Sequence, residues 1–225
     1  MITGKKIVSV FVFFLAASLG VGDHAARAAA ADIDRLCNGA VALSIGQWAS
    51  YAVDAPLMQE KTENRFAIVG TEADYYWLEY EAATPVGDTG MIMRFLIPQW
   101  PYAEGAITRV IMQMPIIQGM DPLPPIEMPP STVQKDDLAN PIRLACAEVQ
   151  NGVEETVTVP AGTFSALRIP LKPLGKDIWI SSDVPFGMIK LVDEKGLGTV
   201  LQAYGDDAES AVTATPFEVP GMEQQ

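Results

Sequence analysis

The sequence predicts a mainly β domain of α+β character: one antiparallel sheet with one or more short helices, preceded by a removable export segment. Three observations carry this. Short runs rich in Val, Ile, Tyr, Phe, Trp and Thr recur along the chain and are separated by Gly, Pro, Asn or Asp, as strands and turns alternate in antiparallel sheets. No helical pattern is long enough to supply the crossovers that parallel strands require. Finally, Val157-Thr158-Val159-Pro160-Ala161-Gly162-Thr163-Phe164 reads as a hairpin. Its proline presets one turn position and its glycine accepts a positive φ at another, so two alternating strands can reverse there.

The chain has 225 residues, 49% apolar and 19% charged, which suits one ordinary domain plus a removable segment. Residues 1–30 read as a signal peptide. Lys5 and Lys6 form a positive start, Ile7 to Leu19 an apolar run of thirteen residues, and Ala25-Ala26-Arg27-Ala28-Ala29-Ala30 a small-residue cleavage region. A membrane span needs roughly 20 apolar residues, so cleavage is the expected fate. Lipidation of the mature N-terminus is not expected, because Cys37 lies well past the apolar run, behind Asp32-Ile33-Asp34-Arg35.

Residues 31–45 then suit a short helix, with Asp32 as its cap, Ile33, Leu36, Cys37 and Ala40 on one face, and Gly39 weakening it. Strands follow at Gln47–Val53, Arg65–Gly70, Asp74–Ala82 and Gly90–Ile97. Gly105–Met114 is ambiguous between helix and strand. Pro115–Pro130 carries six prolines and is expected to be a lid-like loop or long connection rather than an interior strand. Glu154–Val159, Phe164–Leu171, Ile178–Ser181, Gly187–Val192 and Thr199–Tyr204 complete a C-terminal meander, with a turn at Val184-Pro185-Phe186-Gly187. The domain is expected over 31–212, with 213–225 a tail that frays from Pro216.

Composition excludes several chemistries. His24 is the one histidine and lies in the export segment, so the mature chain has no imidazole for a Ser-His-Asp or Cys-His site, a His-ligated zinc or an imidazole base. Loss of Lys5, Lys6, Arg27 and Asp23 takes the formal charge from −13 to −15, against a nucleic-acid partner. Lys and Arg are scattered singly. Phosphate-cradling glycine loops, a G-x-S-x-G elbow, dinucleotide fingerprints and calcium-loop spacing are all missing from the sequence. No cofactor is expected.

Cys37 and Cys146, in a chain bound for an oxidising compartment, are expected to form a disulfide. Their spacing is not the C-x-x-C of a redox pair.

The phrase from Gly152 through Glu154-Glu155-Thr156 to Gly162-Thr163-Phe164, with the later Trp179-Ile180-Ser181 and Val184-Pro185-Phe186-Gly187, resembles exported bacterial proteins of the LolA/LolB-like lipoprotein-carrier superfamily. The likeness is fullest over the C-terminal third. It implies a curved, incomplete antiparallel barrel whose concave apolar face, closed by short helices, holds acyl chains. The phrases are turn-and-strand patterns, so no ligand residue of the family carries over.

Methionine is unusually dense: Met91, Met93, Met112, Met114, Met120 and Met128 fall within 38 residues. Residues i and i+2 of a strand share a face, so Met91 pairs with Met93, and Met112 with Met114 if that segment is extended. Such side chains fill irregular cores, line adaptable apolar cavities, or bind Cu(I). With no histidine or exposed cysteine to complete a site, no metal is expected. Tyr75-Tyr76-Trp77-Leu78-Glu79-Tyr80-Glu81 places Trp77, Glu79 and Glu81 on one strand face. Aromatics beside a carboxylate pair suit a glycosidase cleft, but also an ordinary acidic sheet face.

The expected function is therefore non-enzymatic: a periplasmic or secreted carrier for an apolar or lipidic ligand, or an acylated protein, held on the concave face. Trp48, Trp77, Met91, Met93, Phe95, Met112, Met114 and Trp179 are the residues expected to line or border it. The alternative is a cell-envelope scaffold with a filled core that docks a protein partner. No stable transmembrane segment is expected after processing.

Overall fold

The computed structural model describes residues 33–39, 42–54, 62–82, 90–103, 105–115, 121, 123–130 and 140–218. The export segment, Asp32, Ala40, Met120 and residues 219–225 lie outside them. Among the described residues no helix is long and apolar enough to cross a membrane.

Residues 33–37 form a short helix, α1, which buries Ile33 and Leu36 and stops at Gly39, where φ is +68°. A left-handed residue at that point ends a helix, and glycine adopts it without a Cβ clash. Six strands follow: β1 (Trp48–Val53), β2 (Thr62–Glu72), β3 (Tyr75–Ala82), β4 (Met91–Ile97), β5 (Arg109–Gln113) and β6 (Ile126–Met128). After helix α2 (Asn140–Ala147) come β7 (Val153–Val159), β8 (Gly162–Leu171), β9 (Lys176–Ile180), β10 (Met188–Asp193), β11 (Gly198–Gly205) and β12 (Phe217–Glu218).

All twelve strands join one sheet in the order β12-β6-β5-β4-β3-β2-β1-β11-β10-β9-β8-β7. Its edges, β12 and β7, do not pair, so the barrel is incomplete. Every pairing is antiparallel except β12 beside β6. Register shifts at Ser50/Tyr51, Ile68/Gly70 and Met188/Lys190 add the bulges that twist and bend strands.

Cross-strand register assigns the two faces. Tyr51, Phe66, Tyr80, Met93 and Val110 follow one another across β1 to β5 on the inner face. Phe66 sits centrally there, its ring centroid 5.8 Å from Tyr51, 4.9 Å from Tyr80, 5.9 Å from Phe186 and 6.4 Å from Trp100. Two buried polar tips find partners: the Trp100 indole N–H donates to the Phe186 carbonyl at 3.0 Å, and the Tyr51 hydroxyl to the Met188 carbonyl at 3.1 Å. At Gly187, with φ +76°, a Cβ would come within 2.4 Å of Leu36, so this turn needs glycine both for its conformation and for its approach to α1.

The strand order obliges the chain to cross the sheet twice. From β6 it reaches β7 at the other edge through α2, whose Ile142 and Ala145 join the inner core. The expected disulfide between Cys37 and Cys146 is present, its Cα atoms 5.2 Å apart, and ties α1 to α2. From β11 the chain runs over the outer face to β12. Along this strap Asp207 accepts the Trp48 indole N–H at 2.8 Å, and the Ala208 N–H donates to the Gly46 carbonyl at 2.8 Å. Glu79 accepts from the Ser210 hydroxyl at 2.7 Å and the Ala211 N–H at 3.0 Å. Val212 packs with Trp77, Ile92, Leu96 and Ile111.

One choice left open is resolved and three expectations need correction, the first being the helix expected over 31–45, which among the described residues covers only 33–37 because Gly39 ends it. Gly105–Met114 holds a strand, β5, because its alternation of Val110 and Met112 against Ile111 fits a sheet with both faces covered. The Pro-rich stretch contributes β6, since Ile126, Glu127 and Met128 sit between prolines and keep every backbone donor. The tail is anchored at Phe217–Glu218, and α2, too short for a clear periodic signal, was not foreseen.

Two predictions follow from the crossings. Replacing Cys37 and Cys146 by serine removes a cross-link between residues 109 apart, so the urea unfolding midpoint should drop by the equivalent of about 4–5 kcal/mol, less any strain the native bridge imposes. Glu79→Ala removes the shared acceptor of the half-buried Ser210 hydroxyl and the exposed Ala211 N–H and should cost about 1–2 kcal/mol, with new proteolytic cuts between Ala208 and Glu218. An unchanged digestion pattern would mean that Glu79 does not hold the strap.

Candidate functional site

The inner face carries a cavity of about 220 Å³. β1 and β2 supply Tyr51, Asn64 and Phe66, β10 and β11 supply Met188, Leu191 and Thr199, and Trp100 and Phe186 close it from the loops. Pro141 and Ile142, at the start of α2, form its roof. Alternation places these strand residues together. Tyr51 opposes Asn64 and Leu201, while Leu191 opposes Thr199, all on the inner face.

The polar atoms at this site are already engaged or peripheral. The Asn64 amide donates to the Tyr80 hydroxyl at 2.8 Å, and the Tyr51 hydroxyl donates to the Met188 carbonyl. Burial pushes the phenols of Tyr51 and Tyr80 above the usual tyrosine range, so both remain neutral. The lining contains no ionisable group other than Tyr51. Such a cavity can bind by removing apolar surface from water, with few directional contacts.

None of the eight residues singled out from sequence lines this cavity. Met93, Phe95 and Met112 do point to the inner face, but two or more strands away. Phe95 is wholly buried, Met93 packs on the core and faces Met112 across β4 and β5. Met91 begins β4 on the same face, and Met114 lies just past β5. The three tryptophans have the parity opposite to the core residues beside them, which puts Trp48 and Trp77 on the outer face, while Trp179, 6% exposed, still packs within the main core cluster. Trp48 lies under the Arg65 guanidinium at 5.1 Å, and Trp77 is flanked by Arg94 and Arg109 at 4.8 and 5.2 Å. Trp179 is flanked by Arg168 and Lys190 at 5.4 and 4.0 Å, and its indole N–H donates to Glu155. The lining residues that were missed share one signal: β1 and β2 alternate Ala49, Tyr51 with Asn64, Phe66, Ile68, a pattern visible only once the strands are registered.

Trp77, Glu79 and Glu81 share one face, as alternation predicts, and the register makes it the outer one. Glu79 is only 2% exposed and is occupied by the C-terminal strap, which leaves no open carboxylate cleft at Glu79. Beside it, Arg109 donates to both oxygens of Glu127 at 2.7 and 2.9 Å and to Glu72 at 2.8 Å. Among the described residues no group of three or more His, Cys, Asp or Glu is placed to hold a metal ion.

Contrary to the scattered placement in sequence, Arg168, Lys172 and Lys176 meet at the β8–β9 end in a groove of about 330 Å³. Asp177 and Glu194 share that groove, and Arg168 is paired with Asp177, so the charges largely cancel.

No family model matches this chain, and no curated protein matches it.

The hydrogen bonds from Arg109 hold the Glu127 carboxyl below its ordinary value of 4.5, against the opposing effect of partial burial. A depressed folded-state value means that the pair stabilises the fold above that ordinary value and loses its contribution as pH falls through the depressed one. Urea midpoints of wild type and Glu127→Gln should therefore differ near neutrality and converge in acid. A constant gap down to the lowest pH would exclude this linkage.

Proposed function

We propose that the protein is an exported, non-enzymatic binding protein or carrier of the cell envelope that holds the apolar end of a lipidic ligand on the inner face of its curved sheet. One observation carries this reading: the neutral, aromatic-lined cavity beneath the start of α2. The open antiparallel sheet with short helices on one face also supports the likeness to LolA/LolB-like carriers. A disulfide joining the helices suits the oxidising periplasm or the exterior.

The volume bounds the ligand. Cavities that enclose a drug-sized molecule start at about 300 Å³. The 220 Å³ present suits one end of a chain, with the remainder lying along the surface. Each Å² of apolar surface so covered contributes about 25 cal/mol. A second reading, a scaffold with a filled core, is favoured by one feature: Trp100, Tyr102 and Phe186 already occupy much of the inner face.

Protein purified from an envelope fraction should carry lipid in native mass spectra and should take up a fluorescent fatty acid. Thr199→Phe, which projects a ring into the cavity from a strand position suited to aromatics, should weaken uptake about tenfold with an unchanged circular dichroism spectrum. Absence of both co-purified lipid and uptake would overturn the carrier reading in favour of the scaffold.

A further inference from the structure

We propose that Met91, Met93, Met112 and Met114 form a binding site for one soft monovalent cation, Cu(I) or its analogue Ag(I). The sequence offers two M-x-M pairs; the sheet brings them together. Met93 and Met112 are direct partners across β4 and β5, and Ile92 opposes Gln113. Continuing this antiparallel register by one residue sets Met91 beside Met114. Within each strand, residues two apart lie on one face, about 7 Å along it, while direct partners across the strands lie about 4.5–5.5 Å apart. Four thioethers thus rise from the corners of one small block. Met93 packs against the inner core, which fixes the face on which the block stands.

Accessibility and chemistry both favour a metal over simple space-filling. Met93 and Met112 are half-buried, Met91 likewise, and Met114 is 40% exposed, so the block reaches the rim of the core and an ion can approach it. Methionine has three rotatable bonds and a polarizable sulfur, and its flexibility lets sulfurs converge from positions several ångströms apart. Thioethers select Cu(I) over harder divalent ions. Both cysteines of the chain are consumed in the Cys37–Cys146 bridge, so methionine supplies the soft sulfur that remains. Such a site departs from the sequence-based expectation of no metal, which rested on the lack of a histidine or exposed cysteine to complete one. The inner-face neighbours are uncharged: Tyr80 opposes Met93, Ala82 opposes Met91, and Ile126 opposes Met112. A site of neutral ligands, with no carboxylate among the described cross-strand partners on this face, favours a single positive charge over a double one.

The test uses the processed chain, anaerobic and metal-free, titrated with Ag(I) and, under reductant, with Cu(I) against a chromophoric chelator. Native mass spectra should show one ion per chain. With ¹³C-methyl methionine, shifts should concentrate on these four residues and spare Met188, which lies in the cavity. Thioethers do not titrate, so affinity should be flat between about pH 5 and 8, unlike that of sites whose ligands must lose protons. Met93→Leu with Met112→Leu conserves volume and should weaken binding roughly 100-fold while leaving the urea midpoint close to that of wild type. Met188→Leu, in the separate cavity, should leave the affinity for the ion unchanged. Failure to retain the ion, shifts of Met188 as large as those of the quartet, or full affinity in the double variant would each overturn the proposal. None of these readouts depends on lipid, so the site stands or falls apart from the carrier reading.

Discussion

An open sheet whose sixth and seventh strands lie near opposite ends cannot be built from hairpins alone; the chain must travel the width of the sheet between them. That constraint organises the inner face. The traverse is made through α2, and a helix lying on a sheet must bury an apolar stripe against it, here Ile142 and Ala145. Its first turn roofs the cavity, and its last turn is fastened by Cys146 to α1. Because the bridge spans a long loop, it lowers the entropy of the unfolded chain most where the fold has least local reinforcement.

The outer face has its own crossing, made by an extended segment. Lacking a regular hydrogen-bond ladder, that strap depends on side chains of the strands beneath it, Trp48 and Glu79 above all, with Val212 supplying the apolar contact. This explains why a carboxylate that looks reactive in sequence is structural in the fold. Glu79 is itself buried and is satisfied by two donors of the strap, and a buried polar group left without partners costs more than a typical hydrogen bond gains. The three tryptophans serve similarly, each covered by guanidinium or ammonium groups that shield its ring from water.

The inner face therefore carries two zones along the sheet: the cavity over β1, β2, β10 and β11, walled in part by the aromatic cluster of Tyr51, Phe66, Trp100 and Phe186, and the methionine block over β4 and β5.

Local residue order was enough to determine most strand segments, the β7–β8 turn and the cysteine pair, because each depends on period, turn chemistry or residue type within a few positions. It also settled that Trp77, Glu79 and Glu81 share a face. What it left open was which face meets the core, and how strands far apart in the chain are registered. The three tryptophans were expected at the ligand because large aromatics favour pockets, yet their parity is opposite to that of the core residues beside them. Tyr51, Phe66, Ile142 and Leu191, drawn from four elements, come together only when β1 closes on β11 and α2 crosses over them. The same holds for the paired methionines: spacing of two defines each pair, but only antiparallel pairing of β4 with β5 sets one pair against the other.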